Sequence, residues 1–131
     1  MITSSTARPG DHLGEPAPVT EIRIAAAAAA AARSTTGVAH LQPGLLGLVH
    51  QLGNELWTRV TGQPRPDTAG VDVQVEGDVI TVDVTLVTNG RRPAAVVAGD
   101  VQRNVYRAVR ETSDTAPDRI AVHIADIALP A

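Results

Sequence analysis

The four histidines are the side chains best suited to proton transfer or metal binding, and they are scattered along the chain. They are His12, His40, His50 and His123. No two of them lie four residues apart on a convincing helix, and no carboxylate cluster accompanies any of them. His123 falls on the polar side of a predicted strand, where a solvated histidine is a simpler interpretation than a ligand or general base. The histidines therefore indicate no metal centre and no catalytic base.

The carboxylates group on the polar side of a predicted β-hairpin. This acidic sheet face comprises Asp72, Glu76 and Asp83. Carboxylates on an open sheet stay solvated and lack the burial that general acid catalysis exploits. The chain also has no Gly-x-Ser-x-Gly elbow, P-loop or Gly-x-Gly-x-x-Gly segment, and the absence of cysteine excludes thiol chemistry and thiolate metal sites. We therefore expect a protein without enzymatic activity, catalytic residues, cofactor or metal.

Arginines form the most polarised feature of the sequence. One side of a predicted helix carries three of them, and two more precede it: Arg103, Arg107 and Arg110, with Arg91 and Arg92 at the helix start. One interpretation is a solvated helix face with local ion pairs, such as Arg107 with Glu111 four residues on. The other is a docking surface, which could stack head-to-tail on the acidic sheet face of a second copy.

Length and composition fit a small domain with an aliphatic core. The chain has 131 residues, 44% hydrophobic and only 2% aromatic, and its net charge is −3 although all eleven basic residues are arginine. An acidic chain of this kind does not favour nucleic acid or an anionic membrane surface as a partner. The longest apolar run, Ile24 to Ala32, is about half of the roughly 20 residues that cross a bilayer. We expect a cytoplasmic protein with no direct membrane insertion.

The first half of the chain predicts a tail, a helix, a short strand and a second helix. Residues 1–18 form a flexible tail, and Thr20 caps a helix that runs to about Arg33. A short strand follows over residues 38–41. Residues 45–60 show helical spacing of apolar side chains, weakened by glycines. The candidate docking residues of this segment are Leu45, Leu52, Leu56 and Trp57.

The second half predicts a hairpin, a helix and a final strand. Aliphatic residues alternate with polar residues over 71–76 and again over 80–86, with a Gly77-Asp78 turn between them. A helix from Pro93 to about Glu111 and a strand from Ile120 to about Leu129 follow. The order α-β-(α)-β-β-α-β predicts one α+β domain over residues 19–131, with two or three helices on one face of a small, largely antiparallel sheet.

Three segments resemble the alkaline shock protein family, whose members act in the bacterial cell-envelope stress response. They are the small-residue helix and strand over Ile22 to Leu41, the hairpin from Gly70 to Val87, and Asn89-Gly90-Arg91-Arg92-Pro93 with the following helix and strand. The resemblance implies a non-enzymatic protein held at the inner face of the membrane by a membrane-anchored partner. The segment 44–69 departs from the short connection that is usual in the family. It could be a docking helix or an extra helix that covers the core.

An RNA-binding module of the KH type is the alternative from another functional class. Gly44-Leu45-Leu46-Gly47 matches the Gly-x-x-Gly pattern with which such modules clamp phosphates. Here the interior residues are leucines and no arginine is near, so the pattern lacks the usual polar surroundings. Self-association of the chain and binding to a protein partner also remain open at this point.

Overall fold

The computed structural model describes residues 16–43 and 51–129, with side chains over 16–43 and 56–129. These residues form three helices and four strands: α1 (Ala17–Arg33), β1 (Val38–Leu41), α2 (Gln51–Thr61), β2 (Val71–Glu76), β3 (Val79–Thr88), α3 (Ala94–Ser113) and β4 (Arg119–Ile127). The predicted order of elements and the α+β class are confirmed. Residues 1–15 of the predicted tail and the Gly44–Gly47 pattern lie outside the described residues.

Strand β3 is the centre of the sheet. It pairs antiparallel with β1 and β2 and parallel with β4. Alternation of side chains along the strand places Val82, Val84 and Leu86 in the core, all fully buried, whereas Asp83 and Thr85 face the open side of the sheet. The sheet therefore has one apolar face under the helices and one polar face.

Strands β1 and β2 lie end to end along the same edge of β3. β1 pairs with residues 86–88 of β3, and β2 pairs with residues 79–84. Thr85 joins the two pairings, since its carbonyl accepts the Gln42 amide at 2.9 Å and its amide donates to the Gly70 carbonyl at 2.8 Å. The chain thus leaves the sheet after Gln42 and returns at Gly70, so that one edge is built from two separate strands.

Helices α1 and α3 cover the apolar face of the sheet and pack on each other through small side chains. The alanine run of α1 is buried at Ala25, Ala28, Ala29 and Ala32. Helix α3 buries a valine every fourth residue, at positions 97, 101, 105 and 109. Because alanine and valine are short, the two helix backbones can approach closely above the sheet. A chain with one tryptophan, one tyrosine and no phenylalanine thereby builds a continuous aliphatic core.

Helix α2 packs on the N-terminal part of α1 and forms a second small core. Trp57 is 6% exposed and packs with Val19 and Ile22, and its indole nitrogen donates to the Pro64 carbonyl at 3.0 Å. Leu56 is half-buried against the same cluster. The segment between β1 and β2 is therefore anchored to the rest of the domain through these side chains.

The predicted start of α1 at Thr20 is wrong, because the helix begins at Ala17 after Pro16. Proline suits the first turn of a helix, since the amide groups there have no acceptor within the helix. Pro18 is therefore helical instead of part of the tail. Thr20 lies one turn inside the helix, and its hydroxyl donates to the Pro16 carbonyl at 3.4 Å.

Substitution of Gly70 by alanine should destabilise the protein strongly. Gly70 has φ +90°, and a Cβ there would lie 2.8 Å from the Leu41 Cβ and 3.0 Å from the Gln42 amide nitrogen. We expect a loss of about 2–4 kcal/mol in the free energy of unfolding, measured by urea denaturation. Gly77→Ala is the control, since Gly77 has φ +62° but nothing within 4 Å of its Cβ position. Equal losses of stability in the two variants would show that the close contacts at position 70 add nothing to the cost of the substitution.

Enlarging a buried alanine of α1 should also destabilise the domain. Ala29 is fully buried in the main core, whereas its neighbour Ala30 is exposed. Ala29→Leu should lower the free energy of unfolding by about 1–3 kcal/mol, because the core has no room for the added carbons. Ala30→Leu should change it by less than about 0.5 kcal/mol. A tolerated leucine at position 29 would show that the packing of α1 is loose.

Candidate functional site

An open groove of about 830 Å³ runs along the surface between α3 and β4. Helix α3 provides one wall and β4 with the residues before it provides the other. The lining residues are Gln102, Arg103, Tyr106, Arg107, Arg110, Glu111, Pro117, Asp118, Arg119 and Ile120. We call this feature the α3–β4 groove.

The α3–β4 groove gathers the arginines that the helical spacing predicted. Because Val101, Val105 and Val109 face the core, side chains on the opposite side of the helix point away from it. Arg103, Arg107 and Arg110 consequently line the groove and are all exposed. The predicted helix face is therefore a real surface feature of α3.

Strand β4 and the turn before it complete the groove. Arg119, at the start of β4, is the fourth arginine among the lining residues. The Asp118 amide and carboxylate both bond to the Ile80 main chain, at 2.8 Å in each case. Gln102 of α3 donates to the Ile120 carbonyl of β4 at 3.1 Å. These contacts hold the two walls of the groove in a fixed relation.

The groove is a positively charged region on an acidic protein. Four arginines are among its lining residues, with two acidic residues, Glu111 and Asp118. The predicted ion pair of Arg107 with Glu111 is wrong, since the Arg107 side chain contacts the Asn104 side-chain oxygen at 3.5 Å. Over the described residues, neither Arg110 nor Arg119 contacts a carboxylate. The groove thus offers charged donors that an added anion could satisfy.

Asp100 neutralises part of the arginine face at its N-terminal end. Its carboxylate contacts Arg92 at 2.9 Å and also accepts a hydrogen bond from Arg103. The hydrogen bond from Arg92 lowers the pKa of Asp100, and Arg103 adds to this against the opposing effect of partial burial. Arg103 is therefore less available to a ligand than Arg110 or Arg119.

Arg91 and Arg92 lie at the start of α3, outside the groove. Arg92 is held by Asp100, and Arg91 is exposed, with its backbone amide donating to the Asn89 side chain at 2.9 Å. Of the five arginines that the sequence singles out, the structure brings three into the groove and leaves these two beyond its end.

The two apolar candidates of the segment before β2 whose side chains the structure describes, Leu56 and Trp57, are not exposed. Trp57 is buried and Leu56 packs beside it, as described above. Leu45 lies outside the described residues, as does the side chain of Leu52. Among the side chains described over residues 56–70, Val60 near the end of α2 is a large apolar one that is exposed.

The open sheet face holds one histidine–carboxylate contact. His123 Nε2 lies 3.1 Å from Asp83 Oδ1, and the His123 side chain is more than half exposed. His123 thus lies on the polar side of β4 as predicted, with a carboxylate beside it. The parts of the chain that the structure describes contain no cluster of three or more histidines and acids that could hold a metal ion.

Tyr106 and Arg119 were absent from the sequence candidates. Tyr106 is the only tyrosine of the chain, is 41% exposed and lies in the groove between the arginines. Its spacing from Arg103 and Arg110 on the same helix could have revealed it. Arg119 is adjacent only through the tertiary structure, so no local signal could have identified it. Together the groove residues can bind anionic groups and pack against an apolar segment.

Replacement of Asp100 by asparagine should remove stability at neutral pH but not in acid. The pKa of Asp100 is lowered from 3.8, so the folded protein favours the ionised form and gains stability above that pH. The difference in free energy of unfolding between the unmodified chain and Asp100→Asn should be constant near pH 7. It should shrink as the pH falls below about 3.8. Urea denaturation at a series of pH values measures this difference in stability, with Asp78→Asn in the exposed hairpin turn as the control. A difference that does not change with pH would contradict the ion pairing.

Comparison with known proteins bears on both functional classes. A family model for the alkaline shock protein 23 family, described as having a cell envelope-related function, matches residues 19–129. No curated protein and no solved structure matches the chain. The matched family gives no support to the KH-like alternative. Among the described helices, none combines the length and the apolarity that crossing a membrane requires. The match spans nearly all of the chain and agrees with the segments on which the resemblance rests, and the chain therefore belongs to the alkaline shock protein 23 family, with a cell envelope-related function.

Proposed function

We propose that the chain is a non-enzymatic interaction protein that acts at the cytoplasmic face of the cell envelope by binding a membrane-anchored partner. The family supports the link to the envelope. The described helices include none that could cross a membrane, and a protein partner would supply the attachment that the proposal requires. The α3–β4 groove is the observation that carries the proposal, because its side chains are the kinds that mediate protein contacts.

The composition of the groove favours a protein partner. Arginine and tyrosine are enriched at protein interfaces, since each combines apolar area with directed hydrogen bonds. The only tyrosine of the chain is exposed here, beside the guanidinium groups of Arg107 and Arg110. The net charge of the chain is −3, so a local cluster of positive charge marks a particular surface and not a general property of the protein.

The open sheet face favours this function over catalysis. The His123–Asp83 contact is the arrangement most like a catalytic pair among the described residues, yet it lies on an exposed sheet surface. Acid–base catalysis benefits from a site that excludes water, and a flat, open sheet face does not exclude it.

Self-association is the second candidate within the same class. The arginine side of α3 and the open sheet face lie on opposite sides of the two-layer domain, so that copies could stack head-to-tail. The Asp83 carboxylate already contacts His123, which reduces what the acidic sheet face offers to another molecule. We therefore place the membrane-anchored partner first.

Binding to membrane vesicles tests the proposal. The purified full chain should sediment with inverted vesicles, which expose the cytoplasmic face of the membrane, prepared from the bacterium that encodes it. Treatment of the vesicles with protease before mixing should abolish the sedimentation, because it removes the exposed part of a protein partner.

Protein-free liposomes made from the same lipids are the control. The chain should remain in the supernatant with them at physiological salt. Equal sedimentation with liposomes and vesicles would show that the chain binds lipid directly and needs no protein partner. Failure to sediment with untreated vesicles would contradict the proposed function.

A further inference from the structure

We propose that the α3–β4 groove binds an extended acidic segment of a partner protein. This inference deepens the proposed function and rests on it for the identity of the partner as a protein. It is carried by four features of the groove, which are the spacing of its cations, the position of Tyr106, the edge strand along one wall and the charges at its rim.

The spacing of the arginines fits carboxylates on alternate residues of an extended chain. Along the axis of α3, Arg103 and Arg107 are separated by about 6 Å and Arg107 and Arg110 by about 4.5 Å. Alternate side chains of an extended segment lie about 6.6 Å apart and point to the same side. Acidic residues at every second position could therefore meet successive guanidinium groups, and bidentate pairing would fix their orientation.

Two of the cations are well placed to accept such a ligand. In the described structure Arg110 and Arg119 contact no carboxylate, and they stand on opposite walls of the groove. Arg107 makes only a long contact with an uncharged side chain, the 3.5 Å contact to Asn104. A carboxylate placed between these side chains would gain charge-assisted hydrogen bonds without breaking an existing ion pair.

Tyr106 gives the groove an apolar contact among the charges. Tyr106 is 41% exposed and lies between Arg103 and Arg110 along the same helix. A tyrosine in this position can pack on an aliphatic side chain between the acidic residues of the ligand. The segment that fits best is thus acidic at alternate positions with at least one apolar residue between them.

Strand β4 favours an extended ligand over a helical one. The strand pairs with β3 along one edge, and across residues 16–43 and 51–129 no strand pairs with its other edge. The main-chain groups of an edge strand can pair with an added strand, which is a common way to bind extended peptides. Gln102 of α3 already occupies the Ile120 carbonyl, so an added strand would use other main-chain groups of β4.

The charges at the rim disfavour a membrane surface or RNA as the ligand. Membrane attachment by basic residues uses clusters of about four to eight lysines or arginines. Glu111 and Asp118 lie in the groove itself, and both would repel a continuous layer of phosphates. A short segment with few carboxylates can avoid these two positions. The groove therefore fits an acidic peptide better than a polyanion.

The composition of the chain permits a direct test by NMR. Because the chain has one tyrosine and one tryptophan, tyrosine labelled with ¹⁵N reports on the groove, and the Trp57 indole reports on the distant α1–α2 contact. The probe is a nine-residue peptide that alternates glutamate with serine and carries one central leucine. It should shift the Tyr106 signal in a saturable way and leave the Trp57 signal in place. The same peptide with glutamine for glutamate should bind at least about tenfold more weakly.

Charge reversal in the groove provides the matched variants. Arg107→Glu/Arg110→Glu should weaken binding of the glutamate peptide at least about tenfold, whereas Arg59→Glu on exposed α2 should have little effect. An unchanged Trp57 signal shows that the groove variant is folded. The same variant should also gain affinity for a peptide with arginine in place of glutamate, which loss of folding could not produce.

Several results would overturn the inference. One is equal binding of the glutamate peptide to the unmodified chain and the groove variant. Another is binding of RNA or anionic lipid vesicles, instead of the peptide, that is lost in the groove variant. A third is a dimer or larger assembly of the unmodified chain that the groove variant does not form, which would make a second copy the occupant of the groove.

The inference and the proposed function fail in different ways. If the chain does not sediment with inverted vesicles but the peptide shifts Tyr106, the groove proposal stands and the envelope partner is wrong. If it sediments and the groove and Arg59 variants behave alike, the partner binds elsewhere.

Discussion

The hydrogen-bonding capacity of β3 is the constraint on which the rest of the domain depends. One edge of this strand carries β1 and β2 in succession, and the other carries β4. Its apolar side supports the alanines of α1 and the valines of α3, and its polar side is left open. The parallel pairing also places Arg119 opposite Thr81, which sets the end of β4 against α3 and forms one wall of the groove. A change in the register of β3 would therefore alter the core and the candidate site together.

Periodicity was sufficient to predict most of the elements, because each of them has a local pattern. The alternating aliphatic residues of β2 and β3 and the four-residue spacing of valines in α3 are signals that do not depend on distant contacts. The start of α1 was mispredicted because two prolines look like a break in the chain, although the first turn of a helix accommodates them. The parallel pairing of β4 and the collinear arrangement of β1 and β2 depend on long-range pairing, which no local pattern encodes.

The candidate site shows the same division between local and tertiary information. The side of α3 that carries Arg103, Arg107 and Arg110 follows from helical geometry alone. The contacts of these side chains do not follow from helical geometry. Arg107 contacts Asn104 and not Glu111, and Arg103 contacts Asp100, which also pairs with Arg92 from the preceding loop. Trp57 illustrates the opposite case, because an aromatic residue that suggested an exposed docking helix packs on α1 instead. Each of these side chains has several residues within reach, so sequence spacing alone does not determine which of them it contacts.

The interrupted edge of the sheet has a consequence for how the protein could diversify. The amide of Gln42 and the carbonyl of Gly70 meet the same residue of β3, so the two ends of the intervening segment are fixed close together whatever lies between them. Lengthening a loop whose ends are already joined costs little, since the entropy of closure grows only with the logarithm of its length. Sequence drift between these two points can therefore add or remove whole elements without disturbing strand register. Related proteins could acquire new specificities at this junction while keeping an identical scaffold.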